Sequence, residues 1–172
     1  MANAPWTKGR LRIPRAVIEL LTEEAKRAYG THEEACGYLT GPAADELLAD
    51  RAVPMANLAN RYHTLDPEAY PRKGNTYFLL DSRKFQLAID SGPSEGRPVK
   101  VLWHSHLDVG AYFSETDAAA ANMGGTEPAN PLAYLVTSVR AGVVDDHKLF
   151  VWDGDRRRFV ESELTIVDDA RG

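Results

Sequence analysis

The stretch from Val99 to Asp117 constrains the fold of this 172-residue chain more than any other. Its first part, Val99 to His106, alternates and is rich in apolar and β-branched residues, which predicts a strand. Side chains two positions apart on a strand point to the same face. His104 and His106 are therefore expected to project side by side, from Cα atoms about 7 Å apart.

A loop containing Gly110 separates this strand from a predicted helix. Ser114 is a favourable N-cap, and the alanines at 118–121 are strong helix formers. Asp117 then lies in the first turn, where its carboxylate can reach the end of the strand. Two histidines and one aspartate give a metal ion three protein ligands and leave a fourth position to water, which is the pattern of a catalytic zinc site.

The spacing His104-Ser105-His106, seven residues, Ser114, two residues and Asp117 resembles the JAMM motif of the JAB1/MPN/Mov34 metalloprotease family. That motif also includes an upstream glutamate, and the sequence Glu-Ala-Cys-Gly-Tyr-Leu-Thr-Gly that begins at Glu34 is similar to the corresponding segment of the bacterial branch. The resemblance extends from about residue 13 to about residue 165.

One position departs from the family pattern, because Leu107 stands where many members have proline after the second histidine. This departure concerns the shape of the loop and leaves the ligands in place.

The resemblance implies an α+β (mixed α/β) fold, with a central curved, mostly antiparallel sheet flanked by helices, as in MPN/JAMM-like (cytidine-deaminase-like) domains. The predicted order of elements along the chain agrees with helices packed on a central sheet. The resemblance further implies one Zn²⁺ per chain, bound by His104, His106 and Asp117. In that mechanism Glu34 is the general base and Ser114 donates a hydrogen bond to the developing oxyanion.

The implied activity is that of a zinc-dependent peptidase or isopeptidase. Its substrate would be a ubiquitin-like or sulfur-carrier protein, cut at the bond after its C-terminal tail. Two other readings stay open: a non-catalytic MPN scaffold that binds partners without metal, and a zinc hydrolase of a small-molecule amide. The deaminase form of the last reading needs a Pro-Cys-x-x-Cys segment, which a chain with one cysteine lacks.

Several other polar residues are candidates for a functional role. Glu33 is the rival general base, but Glu34 is preferred because it matches the family segment, and Glu33 is expected to face solvent. Cys36 is expected to be a small buried residue rather than a nucleophile. The polar segment Asn57 to Asn75 either contacts substrate, through residues such as Asn57, Asn60 and Tyr62, or is an ordinary surface loop. His63 and His147 are expected to be a loop and a turn residue, respectively.

The net charge of −5 and the lack of a basic cluster argue against nucleic acid as a partner. No apolar run approaches the 18 residues of a membrane span, and the first ten residues do not resemble a signal peptide, so a cytoplasmic location is expected. The length predicts a single domain over residues 1–172, with its core at about 11–165. The sequence does not indicate the oligomeric state.

Periodicity and turn residues predict the remaining elements. Helices are expected at Leu11–Tyr29 and from Asp81 or Ser82 to about Asp90; strands at Glu34–Thr40, Leu47–Met55, Thr76–Leu80 and Ala133–Arg140; a turn at Asp145–His147; and a hairpin that joins Lys148–Trp152 to Phe159–Leu164.

Overall fold

The computed structural model describes residues 4–168 of the chain. This part of the chain contains eight strands, four α-helices and a short 3-10 helix at Pro5–Lys8. The strands are β1 (Leu11–Pro14), β2 (Cys36–Thr40), β3 (Arg51–Met55), β4 (Val99–Leu107), β5 (Ala133–Arg140), β6 (Val143–Asp153), β7 (Arg158–Ser162) and β8 (Leu164–Val167). The helices are α1 (Arg15–Gly30), α2 (Ala59–Leu65), α3 (Ser82–Ser91) and α4 (Glu115–Ala121).

Six strands form the central sheet, in the order β3-β2-β4-β5-β6-β7. Among these neighbours β4 and β5 run parallel, and the other four pairs are antiparallel. β1 and β8 form a separate parallel pair. A mostly antiparallel sheet with helices around it confirms the mixed α/β fold that the sequence predicts.

The two faces of the central sheet are covered by separate apolar clusters. One face contains Trp103 and packs against α1, which buries Val17, Leu21 and Ala25 there. The opposite cluster contains Val136, which lies beside His104 in the parallel register of β4 and β5. Because side chains alternate along a strand, the histidines of β4 lie on the face opposite α1.

Lys100 is fully buried in β4 and ties the loop that follows β2 to the sheet. Its Nζ donates to the carbonyl oxygens of Pro42, Asp45 and Leu48 over 2.9, 2.8 and 2.9 Å. Burial lowers the pKa of Lys100 to about 8, although nearby carboxylates, Asp45 first among them, act in the opposite direction. The three carbonyl oxygens thus replace the water that the ammonium group loses on burial.

The predicted histidine strand, the strand at Ala133–Arg140 and the C-terminal hairpin are confirmed. The strand expected at Val99–His106 is β4, the strand at Ala133–Arg140 is β5, and the hairpin at its C-terminal side is formed by β6 and β7. The second predicted helix is α3, and the side chain of its N-cap Asp81 accepts a hydrogen bond from the Lys84 N–H.

Three predicted elements are wrong. Leu11–Pro14 belongs to a strand instead of the first helix, because it pairs with β8 from the far end of the chain. Thr76–Leu80 belongs to no strand; Thr76 lies in a bend and residues 77–80 have no regular secondary structure. Asp145–His147 lies inside β6 instead of a turn, because β6 pairs with β5 along this stretch.

Further boundaries differ from the sequence prediction. The strand expected at Glu34–Thr40 begins only at Cys36, and the strand expected at Leu47–Met55 begins only at Arg51. The polar segment Asn57–Asn75 contains the helix α2. None of the helices within residues 4–168 has both the length and the apolar character that crossing a membrane requires.

Candidate metal centre

Three potential ligand atoms meet between the end of β4 and the first turn of α4. The Nε2 atoms of His104 and His106 are 3.1 Å apart, and each lies 3.1–3.2 Å from Oδ2 of Asp117. The three residues are only 2%, 3% and 7% exposed. Within the described residues they form a group able to hold a metal ion, and no fourth histidine, cysteine or carboxylate joins it.

The spacing of these atoms fits a zinc ion. Ligand atoms in a tetrahedral site with Zn–N and Zn–O bonds of about 2.0–2.1 Å lie about 3.3–3.4 Å apart. The observed separations of 3.1–3.2 Å are close to that value. Three protein ligands leave one tetrahedral position for water or substrate, as in catalytic zinc sites.

The hydrogen bonds around His106 explain why a cation suits this place. Its Nδ1 lies 2.9 Å from the carbonyl oxygen of Gly110, which can only accept, so the ring proton is assigned to Nδ1. Nε2 of His106 then presents a lone pair to the Asp117 oxygen 3.2 Å away, which is also an acceptor. Two acceptors in contact with no proton between them are stabilised by a cation that both can bind.

The protonation of the other two ligands agrees with this picture. Burial lowers the pKa of His104 and favours the neutral imidazole, although the neighbouring Asp117 carboxylate opposes the shift. Burial alone would raise the pKa of Asp117, but the His104 side chain and the Ser114 N–H outweigh it and hold the pKa below its usual range. A neutral imidazole and an ionised carboxylate are the forms that bind metal.

A capping box fixes the Asp117 carboxylate at the start of α4. Oγ of Ser114 accepts a hydrogen bond from the Asp117 N–H, and the Ser114 N–H donates to Oδ2 of Asp117, both over 3.0 Å. The predicted N-cap is thereby confirmed. Because Oγ acts here as an acceptor, the hydroxyl proton of Ser114 remains available to a substrate oxygen.

Glu34 lies next to these ligands, just before β2 begins. It is 5% exposed, and the register of Cys36 opposite His104 places it at the same end of the sheet as the histidines. Burial and, to a smaller extent, the Asp117 carboxylate raise the pKa of Glu34 to about 9, although the guanidinium group of Arg72 acts in the opposite direction. A cation held by the three ligands would favour the carboxylate form of Glu34.

Two polar residues that the sequence analysis did not assign to the centre hold the main chain around Glu34. Ser105 points to the opposite face from the histidines, and its Oγ accepts a hydrogen bond from the Ala35 N–H over 2.7 Å. Asn57 donates from Nδ2 to the carbonyl oxygen of Glu34 over 3.0 Å. The serine between the two histidines was a visible sequence signal for such a role, whereas Asn57 had none beyond its place in a polar segment.

Aromatic rings enclose both histidines. The ring of Phe78 stacks on His104 with 4.6 Å between centroids and 21° between planes. Tyr112 meets the ring of His106 edge-on at 5.0 Å. These apolar neighbours limit the access of water to the ligand atoms and so strengthen electrostatic interactions among them.

An apolar cavity of about 440 Å³ opens beside the centre and reaches His104 and Asp117. Apart from these two ligands, no ionisable acid, lysine or arginine lines it among the described residues. Its walls come from the segment before α3, from α3, from α4 and the loops on either side of α4, and from the central sheet; they include Phe78, Leu80, Phe85, Leu102, Phe113 and Ala120.

Other residues that the sequence singled out lie apart from the ligands or are engaged elsewhere. Glu33 is not directed to solvent as expected; it is half-buried and accepts a hydrogen bond from Nδ2 of Asn60 over 2.9 Å. His63 contacts the carbonyl oxygen of Tyr70, as befits a residue outside the site. His147 is not in a turn; its Nδ1 lies 2.8 Å from Oγ1 of Thr137 within the sheet.

Cys36 is buried, as expected for a small core residue. Burial, and to a smaller extent the Glu34 and Glu33 carboxylates, raise the pKa of its thiol to about 12. The thiolate is therefore scarce at neutral pH, which argues against a nucleophilic role.

The fold and the buried His-His-Asp cluster together define a domain of the JAB/MPN class. More particularly, a family profile described as prokaryotic homologs of the JAB domain matches residues 14–152, and the chain belongs to this family. No curated protein matches the sequence significantly.

Solved structures share the fold at low sequence identity. A solution structure from Desulfitobacterium hafniense is 21% identical, with 94% of this chain and 95% of that chain covered and a TM-score of 0.66. One from Salinibacter ruber is 22% identical, with coverages of 93% and 94% and a TM-score of 0.59. A crystal structure of a JAB1/MPN domain protein from Archaeoglobus fulgidus is 18% identical, with coverages of 92% and 100% and a TM-score of 0.54.

Proposed function

We propose that this protein is a zinc-dependent peptidase or isopeptidase. Its substrate is the C-terminal tail of a ubiquitin-like or sulfur-carrier protein, and it hydrolyses the bond that follows that tail. The observation that carries the proposal is the buried triangle of His104, His106 and Asp117 atoms, 3.1–3.2 Å apart, with the buried carboxyl group of Glu34 beside it. A purely structural zinc site would usually be closed by a fourth protein ligand.

In the proposed reaction, Glu34 and Ser114 have different roles beside the metal ion. A bound zinc ion supplies a Lewis acid and lowers the pKa of water toward about 7. Glu34 accepts a proton from the attacking water and delivers it to the leaving amine. The hydroxyl of Ser114 donates a hydrogen bond to the oxyanion that forms at the scissile carbonyl.

The surroundings of the centre support a peptide substrate. The cavity beside His104 and Asp117 is walled by apolar side chains and is large enough for a side chain of an extended tail. An extended tail also suits recognition by addition of a strand to exposed main chain. A flexible C-terminal tail can reach a centre of this kind where a folded chain segment cannot.

The proposal is tested with a ubiquitin-like or sulfur-carrier protein that carries a short extension after its C-terminal glycines. Zinc-loaded protein is expected to release the extension, and Glu34→Gln is expected to reduce the rate by about 10²–10⁴-fold because it removes the general base. Glu33→Gln is the matched control and should retain the rate, since its side chain still accepts the Asn60 hydrogen bond.

The scaffold reading makes a different prediction for the same experiment. If a broad panel of such substrates stays intact with zinc-loaded protein, the peptidase proposal is overturned and a binding role is favoured. Cleavage that survives in Glu34→Gln would instead contradict the role of Glu34 while leaving the activity in place.

A further inference from the structure

Asn57 lies outside the metal centre, but its side chain makes four hydrogen bonds to main-chain groups in three segments of the chain. Nδ2 donates to the carbonyl oxygens of Glu34 and Tyr77, and Oδ1 accepts from the N–H groups of Ala59 and Leu79, each over 3.0 Å. Two donors and two acceptor positions are the full capacity of an amide side chain. The orientation of the amide is therefore fixed by its partners, because a flipped amide would place its NH₂ group against two N–H donors and its oxygen against two carbonyl oxygens.

The hydrogen bond from Asn57 gives the Glu34 carbonyl oxygen a donor that strand pairing does not supply. Glu34 precedes β2, which begins at Cys36, so its carbonyl group lies outside the ladder between β2 and the neighbouring strands. Its N–H donates to the carbonyl oxygen of Gly74 over 2.6 Å. The main chain of the proposed general base is thus held by a loop on one side and by Asn57 on the other.

The bonds to Tyr77 and Leu79 act on the metal ligand. These residues flank Phe78, whose ring stacks on His104 with 4.6 Å between centroids. By fixing the main chain on both sides of Phe78, Asn57 fixes the ring that packs on His104. A single amide side chain therefore sets the position of the proposed base and the packing of one ligand.

We propose that Asn57 is a positioning residue of this centre, which aligns Glu34 through its carbonyl group and His104 through Phe78. This inference rests on the proposed function. Asn57→Asp is the sharpest test, because aspartate has the same shape and keeps the acceptor but removes both donors. The carboxylate would then face the carbonyl oxygens of Glu34 and Tyr77, and both would lose their partner.

Two readouts separate positioning from a general loss of stability. The first is the visible absorption of the Co²⁺-loaded protein, since those bands depend on the geometry of the ligands. Asn57→Asp is expected to change the intensity and position of the bands and to weaken Zn²⁺ binding about 10-fold, the lower end of the range for residues that orient metal ligands. The second is steady-state kinetics, in which kcat is expected to fall about 10²-fold with KM changed less than about 3-fold.

Two control variants calibrate these effects. Asn75→Asp makes the same chemical change at an exposed position and should match the wild type in the Co²⁺ spectrum and in Zn²⁺ affinity. Lys100→Met removes three buried hydrogen bonds away from the metal ligands, so it should lower the melting temperature without altering the Co²⁺ spectrum. All measurements are made well below the lowest melting temperature of the set.

The outcomes distinguish this inference from the proposed function. An unchanged Co²⁺ spectrum together with unchanged kcat in Asn57→Asp overturns the positioning role. A changed spectrum in Asn57→Asp alone, with no substrate cleaved by any form, supports the positioning role and counts against the peptidase. Equal spectral changes in Asn57→Asp and Lys100→Met would assign the effect to lost stability and overturn the inference.

Discussion

Ser114 caps α4 through its oxygen, and we propose that its hydroxyl proton is donated to substrate. Substitution can test the cap and the proposed donor role separately. In Ser114→Ala the Asp117 N–H loses the acceptor that it now reaches over 3.0 Å. Loss of such a cap costs about 0.5–2 kcal/mol of folding free energy. For a chain of this size, that corresponds to a fall in Tm of about 2–4 °C per kcal/mol.

The catalytic effect of the same substitution is expected to be much larger. Loss of one hydrogen-bond donor to an oxyanion typically lowers kcat by about 10²–10³-fold, or about 3–4 kcal/mol. Zinc content should stay at the wild-type level, because the Ser114 N–H that holds the Asp117 carboxylate belongs to the main chain and is kept.

Two companion variants separate the cap from the donor. Glycine at an N-cap costs only a few tenths of a kcal/mol relative to serine, so Ser114→Gly should melt close to the wild type and still be as slow as Ser114→Ala. Ser114→Thr keeps the hydroxyl and should retain both stability and rate. The assays are thermal unfolding, zinc content and initial rates on one tail-extended substrate. A fully active, zinc-loaded Ser114→Gly protein would refute the oxyanion role.

Three further substitutions test other parts of the structure. Gly110→Ala should weaken zinc binding about 10–100-fold in a chelator competition, because Gly110 has φ +87° and its carbonyl oxygen orients the ring of His106. Gly124→Ala is the control, since Gly124 also has a positive φ, +78°, but lies in open space, and it should leave zinc binding unchanged. Ala120→Trp should raise KM about 10–100-fold by filling the apolar cavity, which Ala120 lines. Ala119→Trp, on the same helix but not among the residues that line the cavity, should not raise KM; equal kinetics of the two variants would exclude the cavity from substrate binding. Lys100→Met should lower the free energy of unfolding in urea by about 2–6 kcal/mol, since three charge-assisted hydrogen bonds worth about 1.5–3 kcal/mol each are lost and the relieved cost of burying the ammonium group offsets part of that loss.

The centre itself was predictable because its signals are local. His104 and His106 share a strand face by alternation, and Ser114 and Asp117 are close in sequence at a helix start. The structure brings these residues together with Glu34, which the sequence could place only by resemblance. Their roles in binding metal and in catalysis remain predictions.

The errors arise where distant residues decide the local structure. Thr76–Leu80 has the composition of a strand, but the side chain of Asn57 takes main-chain groups of Tyr77 and Leu79 that a neighbouring strand would otherwise bind. Leu11–Pro14 continues the apolar pattern of α1, yet it pairs with β8 more than 150 residues later. No periodicity within either segment contains this information.

The most direct test of the account is the zinc content measured by mass spectrometry. It is measured on protein purified without added metal, and again after chelation and reloading with zinc. The account predicts about one zinc per chain in the wild type, a near-complete loss in His104→Ala and no loss in His63→Ala, whose histidine contacts the Tyr70 carbonyl away from the centre. Equal and negligible metal in all three proteins would contradict the metal centre and favour a scaffold without metal.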